Sequence, residues 1–391
     1  MTNKLNDQVR LRHGATLTNR IVLSPMQSQS GLKGGFVSED TIRYYSARSE
    51  AGGLLITEFH YVSENGGPSY VPNYPEQLGA YSDKHLEGLK QVAKALKSKG
   101  HKAILQIHHG GRRANGRYLD GKAVLSPSPL PLSFSKFPVR EMSSDEIEAI
   151  ILDFGRATKR AIDAGFDGVE IHGANHYLLQ QFFSKSTNKR MDYWGGSLEK
   201  RMHFPLAVIQ EVKKVIKANA PEDFILGYRL SPEELHTHGE GYNYHDSIAF
   251  VKKIIPYELD YLHLSLWAGY NSKPEKSNQS YAELFKTVLD EQTKLIIVGG
   301  VFDESAAKDA VENYADLIAI ARGTLIEPQF GKKIVEGRGR EILHEISPES
   351  VPYSQLTDGL LEAFSRDDSI GLPPLPGANS IRSLHTGKYD Q

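Results

Sequence analysis

The run VEIHGANHYLLQQFF, Val169 to Phe183, sets His172, Asn175, His176 and Tyr177 almost side by side, just after an apolar stretch that ends at Ile171. An imidazole and a carboxamide can donate hydrogen bonds to an oxygen that gains negative charge. A phenol keeps its proton at neutral pH and can hand it over. Fixed donors beside a proton source are the parts of acid catalysis with electrostatic stabilisation.

Other short apolar runs also end in polar groups. They close on Ser24-Pro25-Met26-Gln27, Thr57-Glu58, Gln106 with His108 and His109, Arg229, Gly299-Gly300 and Ala321-Arg322-Gly323. Amides, imidazoles and a guanidinium dominate this set and carboxylates are few. A magnesium or zinc hydrolase would need acidic or histidine ligands in number. The set suits a flat polar ring system with many nitrogen and carbonyl edges. The glycine pair and Arg322 suit one phosphate, held by backbone amides and a bidentate guanidinium.

The runs that carry these ends must be strands. They are Arg20–Pro25, Gly53–Glu58, Lys102–Ile107, Gly168–His172, Ile225–Arg229, Tyr261–Ser265, Lys294–Gly300 and Leu317–Ala321. Each is short, apolar and nearly unbroken, as in a parallel sheet covered on both faces. Amphipathic helical patterns lie between them. One follows a capping Ser82 and stops at Gly100. Another opens with a Ser143–Glu146 capping box and ends at Gly165. A third follows Ser197, with Pro205 set to kink or restart it, and DESAAKDAVENY joins the last two strands. Strand–helix units in such regular succession predict a (β/α)₈ TIM barrel, whose catalytic face is the C-terminal end of the strands. An open doubly wound sheet is the alternative, and the regularity of the units disfavours it.

The chain has 391 residues, more than the ~250 usual for that barrel. A long loop after the third strand, His108 to Arg140, and a C-terminal extension take up the excess. A ring system with one phosphate is the description of FMN, so the predicted organisation is an FMN-binding barrel domain over 1–340 and an extension over 341–391 that packs on the barrel or on a partner subunit. The end of the extension, with PPLPG, reads as extended chain, and a homodimer is an open expectation. With 46 basic against 48 acidic residues there is no nucleic-acid signature. No apolar run is long enough to cross a bilayer, and no signal peptide is visible. The cysteine count is zero, which removes thiolate catalysis and cysteine-ligated clusters. A cytoplasmic protein without membrane or nucleic-acid partners is the resulting expectation.

From about Leu17 to Pro328 the sequence resembles the old yellow enzyme family of FMN-dependent NADH/NADPH oxidoreductases, the ene-reductases. The resemblance rests on LTNRIVLSPM, AILQIHHGGR, the block from Ala164 to Ile209 and LIIVGG…ADLIAIARGTLIEPQF. Its most specific part is the R-x-D-x-W-G-G-S-x-E-x-R pattern from Arg190 to Arg201. The resemblance implies FMN as cofactor, NADH or NADPH as reductant, and an activated C=C bond in a small molecule as substrate. Pro25 and Met26 would present backbone to the flavin, and Gln106 would bond its pyrimidine edge. Arg229 would lie near the N1/O2 region, and Gly299, Gly300, Ala321 and Arg322 would hold the phosphate. His172 and Asn175 match the pair that binds the substrate oxygen, and Tyr177 matches the proton donor.

Some positions depart from the family. Gln27 stands where Thr or Cys is usual, and Phe59 stands where a small residue is common, both beside the flavin. Gln29 replaces an aromatic of one branch, and Ala321 a frequent Gly. Trp267 and Tyr270 either line the substrate pocket with Gln29 or simply pack. His176 reads as structural, and Arg229 could instead pair with Glu233 or Glu234. A phosphosugar aldolase or isomerase would need a Lys or carboxylate base at a strand end, for which Glu58 and Glu170 are the close candidates. A flavin-binding barrel with a different acceptor, quinone or nitro, or with little turnover of alkenes is the other reading.

Overall fold

A computed structural model describes residues 4–69, 73–119, 123–132, 137–236, 239–368 and 371–390. Eight parallel strands close into a barrel: β1 Ile21–Leu23, β2 Leu54–Tyr61, β3 Lys102–His108, β4 Gly168–Gly173, β5 Ile225–Leu230, β6 Tyr261–Ser265, β7 Lys294–Val298 and β8 Leu317–Ile320. Every sequence-predicted strand forms. β8 pairs with β1 through Ile318–Ile21 and Ile320–Leu23, which completes the ring. The (β/α)₈ barrel is the observed architecture.

The helices form where their caps place them. Ser143 accepts from the Glu146 amide while Glu146 reaches back to the Ser143 amide, starting the helix Ser144–Asp163. Gly165 then takes φ +84°, the left-handed turn that ends it. Ser197 caps a short helix Leu198–Arg201, and the chain restarts at His203, so His203–Asn219 is separate, with Pro205 tolerated in its first turn. Among the described residues no helix is long and apolar enough to cross a membrane.

The barrel interior changes character along its axis. Its lower part is filled by Val22, Leu54, Ile56, Ile104, Ile225, Ile296 and Leu317. A hairpin of Val9–Arg10 and Thr16–Leu17 closes the bottom, with Val9, Leu11 and Leu17 packed into the same cluster. Moving up each strand by two residues keeps a side chain on the inner face. Ile104 is followed by Gln106, Gly168 by Glu170 and His172, Gly227 by Arg229, and Tyr261 by His263 and Ser265. The inner face thus turns from apolar to polar as the strands rise.

Two expectations need correction. β2 does not stop at Glu58 but runs to Tyr61. Its register against β3 jumps from Ile56–Ile104 to Phe59–Gln106, so Thr57 and Glu58 together oppose Leu105. Such a bulge reverses which face the following side chains take. Glu58 turns outward to Ser28, Leu78 and Tyr45, and Phe59 turns inward. The tail from Pro373 is also not simply extended, because the 3₁₀ segment Ala378–Leu384 lies in it. Helices Val351–Ser354 and Asp358–Ser365 occupy the earlier part of the extension. The buried Arg48 donates to the Ser354 carbonyl at 2.9 Å, and Thr357 donates to the Ser28 carbonyl at 2.5 Å, so this segment lies on the barrel. Within the long loop, Val124–Ser126 pairs with Val139–Glu141, while residues 120–122 and 133–136 lie outside the described residues.

Candidate active site

The upper rim of β3 to β6 carries a continuous polar layer. Glu170 on β4 is fully buried and accepts from Gln106 Nε2 at 2.5 Å and from His263 Nδ1 at 2.9 Å. Burial alone would push its pKa up; the His263 and Arg229 charges and the two donors pull it below the ordinary value instead. Glu170 is therefore an anion that orients its neighbours rather than a free base. With Gln106 Nε2 engaged, its Oε1 is left buried without a protein partner.

His172 stands one step higher on the same face of β4. It is fully buried, and neither ring nitrogen has a protein partner. Burial, with the Arg229, His108 and His263 charges, holds its pKa well below the ordinary value. A neutral imidazole carries one N–H donor, which suits binding an oxygen. The Tyr177 ring lies edge-on at 5.2 Å from that of His172. Phe59 touches both, with centroids at 5.5 Å from His172 and 5.2 Å from Tyr177. Tyr177 is buried at the N-cap of the helix Leu178–Phe183, and its hydroxyl is 3.2 Å from Ser69 Oγ. The Arg113 guanidinium lies 5.6 Å above its ring.

Asn175 takes φ +58°, a left-handed conformation that asparagine tolerates better than most residues. Its amide N–H donates to Ser231 Oγ and its side-chain oxygen accepts from Ser265 Oγ, both at 3.0 Å. His176, the next left-handed residue, is exposed, with Nδ1 3.4 Å from Glu234, outside this cluster. Arg229 does not pair with Glu233 or Glu234. It donates to Ser265 Oγ at 3.2 Å, and its Nε has no protein partner.

The remaining expected residues divide. Pro25 is buried at the top of β1, with Met26 and Gln27 half-buried after it. Gly299 takes φ +144°; a Cβ there would lie 2.7 Å from the Leu266 carbonyl, so the turn after β7 requires glycine. Arg322 lies next to Ala321 at the top of β8; its guanidinium is 5.3 Å over the Phe302 ring and donates to the Pro374 carbonyl at 2.5 Å. Of the suggested pocket residues, Trp267 is 74% exposed, the Tyr270 hydroxyl donates to Asp309 of the outer helix layer at 2.6 Å, and Gln29 is fully buried with both side-chain polar atoms lacking a protein partner. Ser265, Ser231, His263 and Ser69 were missed. Ser265 was legible only as the polar end of YLHLS.

The unpartnered Gln106 oxygen, Arg229 Nε and His172 nitrogens form a mixed donor and acceptor set at the barrel mouth. Buried polar atoms normally have partners, so a converging group of them marks a place that a polar ligand or ordered water would fill. It fits a heteroaromatic ring with amide-like edges, with the Gly299 turn and Arg322 on the adjoining strands available to a phosphate. FMN meets that description.

Residues 9–341 match the model of the NADH:flavin oxidoreductase / NADH oxidase family. A probable NADH-dependent flavin oxidoreductase of Bacillus subtilis is 39% identical over 85% of this chain and 87% of its own. The NADH:acrylate oxidoreductase of Vibrio harveyi is 39% identical over 84% of this chain, which spans only 33% of that larger protein. A morphinone reductase mutant solved with tetrahydroNAD superposes with a TM-score of 0.75 at 27% identity, over 90% of this chain and 96% of its own. The chain therefore belongs to the NADH:flavin oxidoreductase / NADH oxidase family and is an oxidoreductase that uses FMN with a nicotinamide reductant.

Proposed function

We propose that the chain reduces activated C=C bonds in small molecules, enones and enals first, with electrons from NADH or NADPH. The observation that carries this reading is the contact between the Tyr177 phenol and the unpartnered His172 imidazole, at 5.2 Å between ring centroids. Bound FMN would supply the carrier of hydride between the nicotinamide and the substrate. The protein supplies the rest.

His172 and Asn175 donate to the substrate's carbonyl or nitro oxygen. Charge that builds there during reduction meets donors already in position, and one such donor is worth roughly 2.7–4 kcal/mol. Tyr177 passes its hydroxyl proton to the α-carbon, and Ser69 stands ready to donate to the phenolate oxygen that results. Phe59 and His108, packed against Tyr177, keep water from the acid. Gln106, fixed by Glu170, would accept from the flavin's pyrimidine edge, and Arg229 would balance charge near its N1/O2 region.

Phe59 also favours a second reading. Its inward ring fills space that a small residue would leave open beside the cofactor, which suits a flat acceptor such as a quinone or nitroarene better than a bulky enone.

The test is an anaerobic visible spectrum of the FMN-loaded protein before and after NADH or NADPH, then after cyclohexenone. Bleaching followed by recovery with the enone is expected. Bleaching that only a quinone or nitroarene reverses selects the second reading. Failure to bleach with either nicotinamide overturns both.

A further inference from the structure

Asn175 can hold a substrate oxygen only with its NH₂ end toward the substrate. A carboxamide has an acceptor end and a donor end, and rotation by half a turn exchanges them. The structure contains a chain of hydrogen bonds that decides between the two. Arg229 Nη2 lies 3.2 Å from Ser265 Oγ. A guanidinium has only donors, so Ser265 must accept from it. The single Ser265 proton then points elsewhere, to Asn175 Oδ1 at 3.0 Å. With its oxygen occupied, Asn175 presents Nδ2. The reversed amide would leave the Ser265 hydroxyl with two donors facing it and its own proton unpaired. Ser265 is buried, where an unpaired donor is costly. Ser231, at the end of β5, holds the Asn175 amide N–H at 3.0 Å and so limits movement of the backbone as well.

We propose that Ser265 is a positioning residue that makes Asn175 a donor, and that the site therefore selects ligands presenting an acceptor oxygen. This rests on the assignment of Asn175 to the substrate oxygen. The direction of the relay originates in Arg229, which cannot accept. Ser265 touches neither substrate nor reacting atoms in this role.

The experiment uses the full chain loaded with FMN. Para-hydroxybenzaldehyde is titrated in, read by the change in the visible flavin bands, and KM and kcat are measured with cyclohexenone. Ser265→Val and Ser265→Thr are compared, because they have nearly the same shape and differ by the hydroxyl, each with Asn175 intact and with Asn175→Ala. Ser265→Val is expected to weaken ligand binding roughly fivefold to thirtyfold, the loss of one buried hydrogen bond, and to lower kcat for cyclohexenone as well, because the same donor meets the charge that builds during reduction. Ser265→Thr should restore binding. In the Asn175→Ala background the Val and Thr variants should bind alike. Equal weakening by Val in both backgrounds, or none with Asn175 intact, overturns the proposal while Asn175 keeps its role. If Asn175→Ala binds as tightly as the parent protein, the assignment of Asn175 falls and the relay falls with it. If Ser265→Val does not retain FMN, Ser265→Ala against Ser265→Thr supplies the same comparison.

Discussion

The two ends of the barrel are built from the same strands and opposite polar logic. At the lower end the acidic and amide groups are bonded to the backbone at the strand starts. Asp260 accepts from the Leu226 amide at 2.8 Å and the His13 amide at 3.1 Å. Asp167 accepts from Ala103 N at 2.9 Å, Asp316 from Leu295 N at 2.8 Å, and Asn19 from both Ile21 N and Gly53 N. These groups join strands. At the upper end Gln106, His172, Arg229 and His263 are as deeply buried but keep atoms without protein partners. Buried polar groups without protein partners are costly, and a ligand that completes them removes that cost. The lower end holds the fold and the upper end is held ready for chemistry.

Substitutions should separate these roles. The largest effect is expected from Tyr177→Phe, which should slow enone reduction by about 10²- to 10⁴-fold, the usual contribution of a positioned acid. Flavin bleaching by NADH or NADPH should be unaffected in stopped-flow traces. Equal loss in both half-reactions would remove Tyr177 as the acid.

Glu58→Gln comes next and acts on stability alone. Burial raises the Glu58 pKa to about 7, against the lowering effect of its Ser28 and Leu78 hydrogen bonds. A group raised on folding favours the native state at low pH and loses that contribution as pH rises through its folded value. Wild type should therefore lose about 3 kcal/mol relative to Glu58→Gln between acidic pH and pH 8. Urea midpoints of both proteins at pH 5 and pH 8 measure this. Wild-type stability that does not fall relative to Glu58→Gln as pH rises would contradict the assignment.

Asp260→Ala should cost roughly 1–3 kcal/mol, because it strands the buried Leu226 amide. The para-hydroxybenzaldehyde affinity of the folded fraction should stay at the parent value. Weakened binding would mean that the lower end reaches the site. The smallest change is expected from Trp267→Ala. That side chain is 74% exposed, so the urea midpoint should shift by no more than about 0.5 kcal/mol in stability terms. The KM for cyclohexenone should also hold; a marked rise would return Trp267 to the substrate pocket.

Much of this was legible in the sequence, for local reasons. Strand positions follow from unbroken apolar runs, helix starts from Ser143 and Ser197, and the helix end at Gly165 from the conformation glycine permits. Because the strands are parallel, their C-terminal ends had to share a face, and so His172, Tyr177, Gln106 and Arg229 had to meet. What tertiary structure alone decided depends on contacts distant in sequence. The bulge at Thr57–Glu58 reverses the faces of β2, putting Phe59 in the site and Glu58 outside it, because β2 must stay in register with β3. The direction of the Asn175 amide is set by Ser265, 90 residues away, and through it by a guanidinium on a third strand. Arg322 is met by a carbonyl of the C-terminal segment, which sequence periodicity could not place on the barrel. Periodicity and caps are properties of neighbours along the chain. The direction of a hydrogen bond belongs to whichever groups folding brings together.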